Sequence, residues 1–361
     1  MANNKPKHIC FSITHHGFGH GAISCAVISE LQKIAPETKI TILSTIPISY
    51  FKPRLAAQFE LIAVGSDFGM VMHSAISIDL KRSEEQYQQL LQGWPEKVAA
   101  EQALLASLKP DLVVSNISPI TLAAAANLAI PSVSICPFNW SQILSHYSKE
   151  PTLSGQLIPL MDNAYASVRV ALKPEPHVPN PKSTKEIEIG PICQSGQNQR
   201  SRLNEKLALS SDTQIGLIAL GGLRVPIDLS QWPQKSGWVW LVDQTPPAGR
   251  PDMHHFTDTR LPFLDLVFSV DVVITKPGYG TYTELALAQT KAITLTRPDW
   301  PETPYLNHFL AQHISCAEIA PEQLATPSFS LLVDQVMQAE NTNTGQWQSG
   351  ATQAALHLIS L

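Results

Sequence analysis

Short apolar runs alternate with longer stretches of helical period through most of the chain, and that alternation predicts parallel sheets flanked by helices. Strands are expected near Lys7–Thr14, Lys39–Thr45, Leu61–Val64, Asp111–Ser115 and Ser132–Cys136, with helices near Ala22–Ile34, Glu84–Ser107 and Pro119–Leu128. Then the pattern breaks. Pro174, Pro176, Pro179 and Pro181 fall within Lys173–Pro181, a spacing that neither a helix nor a central strand accepts, so this stretch reads as a linker. Beyond it the alternation resumes, with strands expected near Gln214–Leu220, Gly237–Val242, Asp271–Thr275 and Lys291–Thr296. Helices are expected near Pro262–Ser269, Gly280–Ala288, Pro304–Gln312 and Phe329–Gln338. Ala351, Ala355, Leu356 and Ile359 keep helical spacing in the tail, which should pack back on a domain face.

The expected architecture is therefore α/β, with two Rossmann-like domains facing a cleft. The first covers residues 1–172, the Pro-rich linker 173–185, the second domain 186–340 and the carboxyl-terminal helix 341–361. A length of 361 residues agrees, since single cores seldom grow beyond roughly 250 to 300 residues. Open α/β sheets bind ligands at the carboxyl ends of their strands, which makes the cleft the expected site.

Composition narrows the partners. With 44% hydrophobic and 15% charged residues the chain has ample apolar surface to bury, and a folded rather than a disordered chain is expected. A formal net charge of −5, without Lys/Arg clusters interleaved with aromatics, argues against a nucleic-acid partner held by counterion release. No apolar run approaches the roughly 20 residues that span a bilayer, so no transmembrane segment and a cytoplasmic location are expected. Cys10, Cys25, Cys136, Cys193 and Cys316 are scattered, without a CxxC pair, and read as small core residues in a reducing compartment.

The most telling stretch is Thr275-Lys276-Pro277-Gly278-Tyr279-Gly280-Thr281-Tyr282-Thr283-Glu284, an apolar strand running through glycines into a helix. Gly278 and Gly280 leave backbone N–H groups uncovered, the helix start adds its free donors and dipole, and Thr281 offers a hydroxyl: a seat for a phosphate or diphosphate. Glu284, one turn past Gly280, is placed to take the sugar hydroxyls of a nucleotide. The same pattern also serves a plain strand-to-helix turn with a first-turn acid.

A second glycine loop, His15-His16-Gly17-Phe18-Gly19-His20-Gly21, follows the first strand. It departs from the dinucleotide fingerprint because Gly21 comes one residue early and the second strand ends without an acidic residue, so no nicotinamide or flavin cofactor is expected. His16 and His20 are four apart, but no third metal ligand is local. His20 opens a helix at the end of a strand, where the dipole favours a neutral imidazole and hence a base. Asn116, at the end of Asp111–Asn116, could hold its second nitrogen without supplying charge; Asp67 is the alternative carboxylate, or a turn cap.

Together H-G-F-G-H, D-L-V-V-S-N-I-S-P-I, Pro137-Phe138-Asn139-Trp140, Leu220-Gly221-Gly222, Gly237-Trp238 and K-P-G-Y-G-T-Y-T-E-L-A resemble the glycosyltransferase-like half that precedes the kinase in plant L-arabinokinases. More distantly the chain resembles GT-B glycosyltransferases of the UDP-glycosyltransferase and peptidoglycan N-acetylglucosaminyltransferase type. The resemblance runs roughly from the first strand to residue 320. It implies a GT-B fold and a nucleoside diphosphate sugar as donor substrate, with no cofactor. It also implies residue roles: His20 after Gly19 as base, and Gly221, Gly222 and Arg224 in a loop near the diphosphate. Gly278, Gly280 and Thr281 would hold the diphosphate, Glu284 the ribose, Glu302 and Thr303 the donor sugar, and the backbone of Arg260–Phe263 the base. In two places the chain departs from that pattern, with Asn116 where many relatives carry an Asp and Lys276 where they carry a His.

The expected activity is an inverting, metal-independent glycosyl transfer. No D-x-D motif is present to clamp a metal on a diphosphate, so Arg224 and Lys276 would supply that charge. The acceptor is not disclosed. A non-catalytic nucleotide-sugar binding or regulatory protein and a nucleotide-sugar epimerase remain the alternatives.

Overall fold

The structure, a computed structural model, describes residues 5–65, 67–74, 76–180, 185–220, 228–342 and 346–361. The chain divides into two compact units, one of Met1–His73, Ile78–Cys193 and Trp347–Leu361, the other of Ser74–Ser77 and Gln194–Gln346. Each unit is built on a parallel sheet.

The first sheet has seven strands: β1 His8–Ile13, β2 Lys39–Leu43, β3 Glu60–Ile62, β4 Leu112–Asn116, β5 Ser132–Ile135, β6 Val170–Pro174 and β7 Glu186–Ile189. Their order is β3-β2-β1-β4-β5-β6-β7, and every pairing is parallel. The inner strands are buried along nearly their whole length, as the continuous apolar runs of a sheet covered on both faces require. The order reverses between β1 and β4, whose register sets Ile13 opposite Asn116. At such a reversal the flanking loops diverge and leave a crevice at the carboxyl edge.

Two sequence expectations change here, while the tail helix packs back as expected. One long helix over Glu84–Ser107 is two, Leu80–Gln92 and Trp94–Leu108, because Gly93 ends the first and Pro95 suits only the opening turn of the second. β6 and β7 lie where the prolines led us to expect only a linker and the opening of the second domain. β6 runs into Pro174, and β7 at the sheet's margin pairs with it rather than joining the second unit. The Gly350–Ile359 helix packs on the Gly19–Ile34 helix, with the Thr352 hydroxyl donating to Glu30, and its start lies hard against Gly190, where a Cβ would strike the Gln348 carbonyl.

The second unit holds β8 Gln214–Ala219, β9 Trp238–Val242, β10 Met253–His255, β11 Val272–Thr275, β12 Lys291–Leu295 and β13 Cys316–Ile319, in the order β10-β9-β8-β11-β12-β13. These pairings are parallel too. Trp232, Trp240 and Phe329 form an aromatic cluster on one face, with Trp240 5.3 Å from Trp232 and 5.7 Å from Phe329 between ring centroids. Gly216 is required beneath it, since a Cβ there would come within 2.2 Å of the Trp240 ring. This order reverses between β8 and β11. Among the described residues no helix is long and apolar enough to cross a membrane.

Candidate functional site

The reversal in the first sheet brings His20 and Asn116 together. The helix Gly19–Ile34 follows β1 after the loop Thr14–Phe18, and its second residue is His20, 7% exposed, whose Nδ1 lies 2.7 Å from Asn116 Oδ1. Since that oxygen accepts, Nδ1 carries the hydrogen and the lone pair is left on Nε2. Burial lowers the imidazole from its ordinary 6.5 to about 4, the Asn116 bond opposing it, so the ring is neutral at pH 7. Burial, rather than a helix dipole, is the main cause.

Asn116 is held firmly. The residue after it, Ile117, is β-branched yet sits at φ 86°, a left-handed conformation that costs on the order of 1–3 kcal/mol. Its carbonyl accepts from the Tyr165 hydroxyl at 2.7 Å, and Ser115 bonds across the same bend to the Ser118 carbonyl. Asn116 Nδ2 is buried with no partner among the described residues.

Aromatic rings pack around the imidazole. Phe138 and Trp140 lie 5.9 and 5.8 Å from His20, and the edge of Trp140 meets His16 at 5.1 Å. Trp140 is fixed through its indole N–H, which donates to Asp67 at 3.1 Å. Asp67 therefore holds the tryptophan and not His20, and burial raises its carboxyl to about 6 against the bonds from Trp140 and Thr14. Gly69 is needed for this packing, because a Cβ would lie 2.3 Å from the His16 ring and 2.6 Å from Trp140.

The reversal in the second sheet is followed by the other glycine turn. Lys276 comes directly after β11, and Gly278, which has no side chain of its own to cap the helix, is the N-cap of Tyr279–Ala288. Neither Gly278 nor Gly280 has positive φ. Among the described residues a Cβ at Gly280 would meet nothing within 4 Å, and at Gly278 only the Lys276 carbonyl at 3.9 Å. Packing among the described residues thus gives no reason for glycine at either position, which suits a backbone that a ligand approaches closely. Thr281 and Glu284 follow on this helix, both half-buried, with Glu284 one turn beyond Gly280.

Beside this turn the loop after β12 carries Arg297 and leads to the helix Thr303–His313, whose N-cap is Glu302. Arg297, Glu302 and Thr303 are all buried. The Arg297 guanidinium lies 4.2 Å over the Trp300 ring, whose N–H donates to Glu302 at 3.3 Å. Lys276 feels this neighbourhood: its ammonium is lowered to about 8, first by burial and then by Arg297, with Glu302 opposing. Thr303 Oγ1 is buried with no partner among the described residues.

No family model matches the chain. It is 24% identical over 312 residues to an L-arabinokinase of Arabidopsis thaliana, covering 84% of this chain and only 30% of that protein's length. Among solved structures it is similar to the glycotransferase of kitacinnamycin, at TM-score 0.63 and 15% identity, covering 99% of this chain and all of that one. The calicheamicin glycosyltransferase CalG4 matches at 0.59 and 15% identity, over 98% and 93% of the two chains. Arabidopsis thaliana UGT89C1 complexed with UDP-L-rhamnose matches at 0.57 and 13% identity, over 99% of each. The chain has the GT-B glycosyltransferase fold.

On this GT-B scaffold the first unit unites Gly19, His20 and Asn116, while the second unites Lys276, Gly278, Gly280 and Thr281 on one turn with Glu302 and Thr303 on the next. Phe263 stands apart from both, 39% exposed at the start of the short helix Phe263–Val267, with its ring 6.1 Å from Phe256. Gly221, Gly222 and Arg224 lie outside the described residues. Sequence reasoning missed Arg297, the described cation beside Lys276. The signal was present: Arg297-Pro298 follows an apolar strand that pairs with β11, so it had to emerge at the same carboxyl edge.

Proposed function

We propose that this GT-B chain is an inverting glycosyltransferase that works without a metal ion, moving a sugar from a nucleoside diphosphate sugar to an acceptor hydroxyl. The observation that carries this reading is the buried His20–Asn116 pair, which leaves a neutral imidazole with its lone pair on Nε2. In the reaction Nε2 takes the acceptor's hydroxyl proton as that oxygen bonds to the anomeric carbon. The bond from that carbon to the leaving phosphate oxygen breaks on the opposite face, its electrons go to the diphosphate, and the configuration inverts. Charge on the departing group is met by the amino-terminal end of the Tyr279–Ala288 helix and by Lys276. Glu284 is assigned to the ribose, and Glu302 with Thr303 to the donor sugar. The UGT89C1 complex with UDP-L-rhamnose, on the same fold, supports a nucleotide-sugar donor.

The test begins with thermal shift against nucleoside diphosphates, where a ligand at 100 times its dissociation constant adds about 2.7 kcal/mol. Donor turnover by His20→Gln is then measured. Loss of transfer by about 10²- to 10⁴-fold with donor affinity retained supports the base; unchanged transfer removes it.

One observation favours a second reading, a nucleotide-sugar binding protein without turnover. Asn116 gives His20 no charge, so the imidazole is a weak base. Asn116→Asp separates the two: a gain in transfer marks a weakened enzyme, whereas donor binding with no turnover in either protein marks a binder.

A further inference from the structure

We propose that Tyr165 is a positioning residue for the transfer, its hydroxyl locking His20 in the tautomer that leaves the Nε2 lone pair open; the inference rests on the reading of His20 as base given above. Asn116 reaches the imidazole from the last position of β4, and its amide has no second anchor, since Nδ2 is buried without a partner among the described residues. Where Oδ1 points is therefore set chiefly by the backbone. That backbone is strained at the next residue, because Ile117 is β-branched and holds φ 86°. Such a conformation persists only where its surroundings over-determine it.

The Tyr165 hydroxyl does this from a helix outside the site. It donates to the Ile117 carbonyl at 2.7 Å and accepts from the Trp140 backbone N–H at 3.2 Å. Ile117 is fully buried, so loss of this donor would strand its carbonyl in the interior. Trp140 opens the helix Trp140–Tyr147, where the first amides have no partner within the helix, and Tyr165 takes the first of them. The Trp140 ring in turn lies 5.8 Å from that of His20. One hydroxyl thus ties the residue that follows the imidazole's hydrogen-bond partner to the residue that walls the imidazole. Its own helix, Ile158–Ala166, packs on both Pro119–Asn127 and Trp140–Tyr147, which fixes the phenol between them. Burial holds that phenol well above its usual range, so the hydroxyl keeps its proton and donates throughout the working pH.

The consequence for the reaction lies in the Nδ1 hydrogen. While Asn116 Oδ1 accepts it at 2.7 Å, Nε2 stays ready to receive the acceptor's proton. If the turn at Ile117 relaxes, that bond lengthens and the hydrogen is no longer held on Nδ1. Molecules that carry it on Nε2 have no lone pair there to take a proton.

The experiment compares the wild-type chain with Tyr165→Phe, which removes only the hydroxyl, by proton–nitrogen NMR of the histidine rings at pH 7 without ligand. The His20 signals are identified by their absence in His20→Gln. In the wild type Nδ1 should carry the hydrogen and Nε2 none. Tyr165→Phe should show His20 as a mixture of both tautomers. Its kcat for transfer from the nucleotide sugar that the wild type uses should fall about tenfold or more, with the donor KM changed less than about threefold. A wild-type tautomer in Tyr165→Phe overturns the proposal even where the melting temperature falls, because a purely structural hydroxyl lowers stability without touching the imidazole. The tautomer readout needs no substrate: a mixture in Tyr165→Phe with no sugar transfer by the wild type supports the lock and removes instead the reading of His20 as base. If the variant unfolds at room temperature, the spectra are taken in the cold with trimethylamine N-oxide, which strengthens the folded state, and the same two tautomer outcomes decide. A variant that folds under neither condition needs the hydroxyl for folding itself, and that too overturns the proposal.

Discussion

After β1 the chain turns through Gly17 and Gly19 into a helix beside a reversal of strand order, and after β11 it turns through Gly278 and Gly280 into another. The backbone solution is shared, but what surrounds it differs. Around His20 stand Phe138, Trp140 and an uncharged Asn116, and the ring is buried and neutral. Near Gly280 stand Lys276 and Arg297, and among the described residues a Cβ there would meet nothing within 4 Å. A proton acceptor has to lose its charge to keep a free lone pair, and burial does that; an anion seat has to keep its charge, and exposed donors with cations do that. One turn type thus serves two chemistries, chosen by the side chains of the neighbouring loops.

The sharpest way to break the contrast is to change the neutrality of the first region. Asn116→Asp places a carboxylate 2.7 Å from Nδ1, which should raise the imidazole by one to three pH units from about 4. Transfer at pH 7 should rise about tenfold or more where proton removal limits the rate. The imidazole resonances in an NMR titration check the cause directly, and a His20 value unmoved by the substitution would show that the two side chains do not meet in solution.

Stability against pH separates the two buried groups of that region. His20, lowered from 6.5 to about 4, contributes stability that is full above pH 6.5 and is lost as pH falls through 4. Asp67, raised from 3.8 to about 6, contributes stability that is full below pH 3.8 and is lost as pH rises through 6. The slopes oppose each other over nearly the same window, each amounting to at most about 3 kcal/mol. Relative to wild type, Asp67→Asn should therefore make unfolding free energy climb with pH between 3.8 and 6, and His20→Gln should make it fall between 4 and 6.5. Urea unfolding at half-unit steps reads both; parallel curves for all three proteins would place these groups in water.

Much of this was legible in the chain and some was not. The apolar runs of β1, β2, β4, β8, β11 and β12 carried the fold, because strands buried on both faces cannot hide their composition. β7 escaped because a marginal strand that alternates Glu186 and Glu188 with an exposed Ile187 and a buried Ile189 resembles a linker, and β6 because it ends in Pro174. His20 and Asn116 were readable because each ends or follows an apolar run, and strand ends share an edge. The Asp67–Trp140 bond was not, since it joins residues 73 positions apart through an irregular loop. Local pattern fixes which edge a residue reaches, but not which neighbour it touches there.

In the second region, Glu284→Ala should weaken nucleotide binding by about 1 to 3 kcal/mol, the cost of losing charged hydrogen bonds, with no change in the His20 titration. Equal affinity would move the ribose elsewhere.

The smallest expected effect is the most discriminating between fold and function. Asn116 Nδ2 and Thr303 Oγ1 are each buried with no partner among the described residues, one in each region, and the hydroxyl can be replaced almost isosterically. Removing an unsatisfied buried polar group relieves a desolvation cost, so Thr303→Val should leave the melting temperature unchanged or raise it, the gain staying below about 1 kcal/mol. If the same hydroxyl serves the donor sugar, the variant's KM for the sugar nucleotide should rise while its affinity for the bare nucleoside diphosphate does not. A drop in melting temperature equivalent to about 1 kcal/mol or more would mean that the hydroxyl is already satisfied in the free protein, by water, and that it makes no special demand for a ligand.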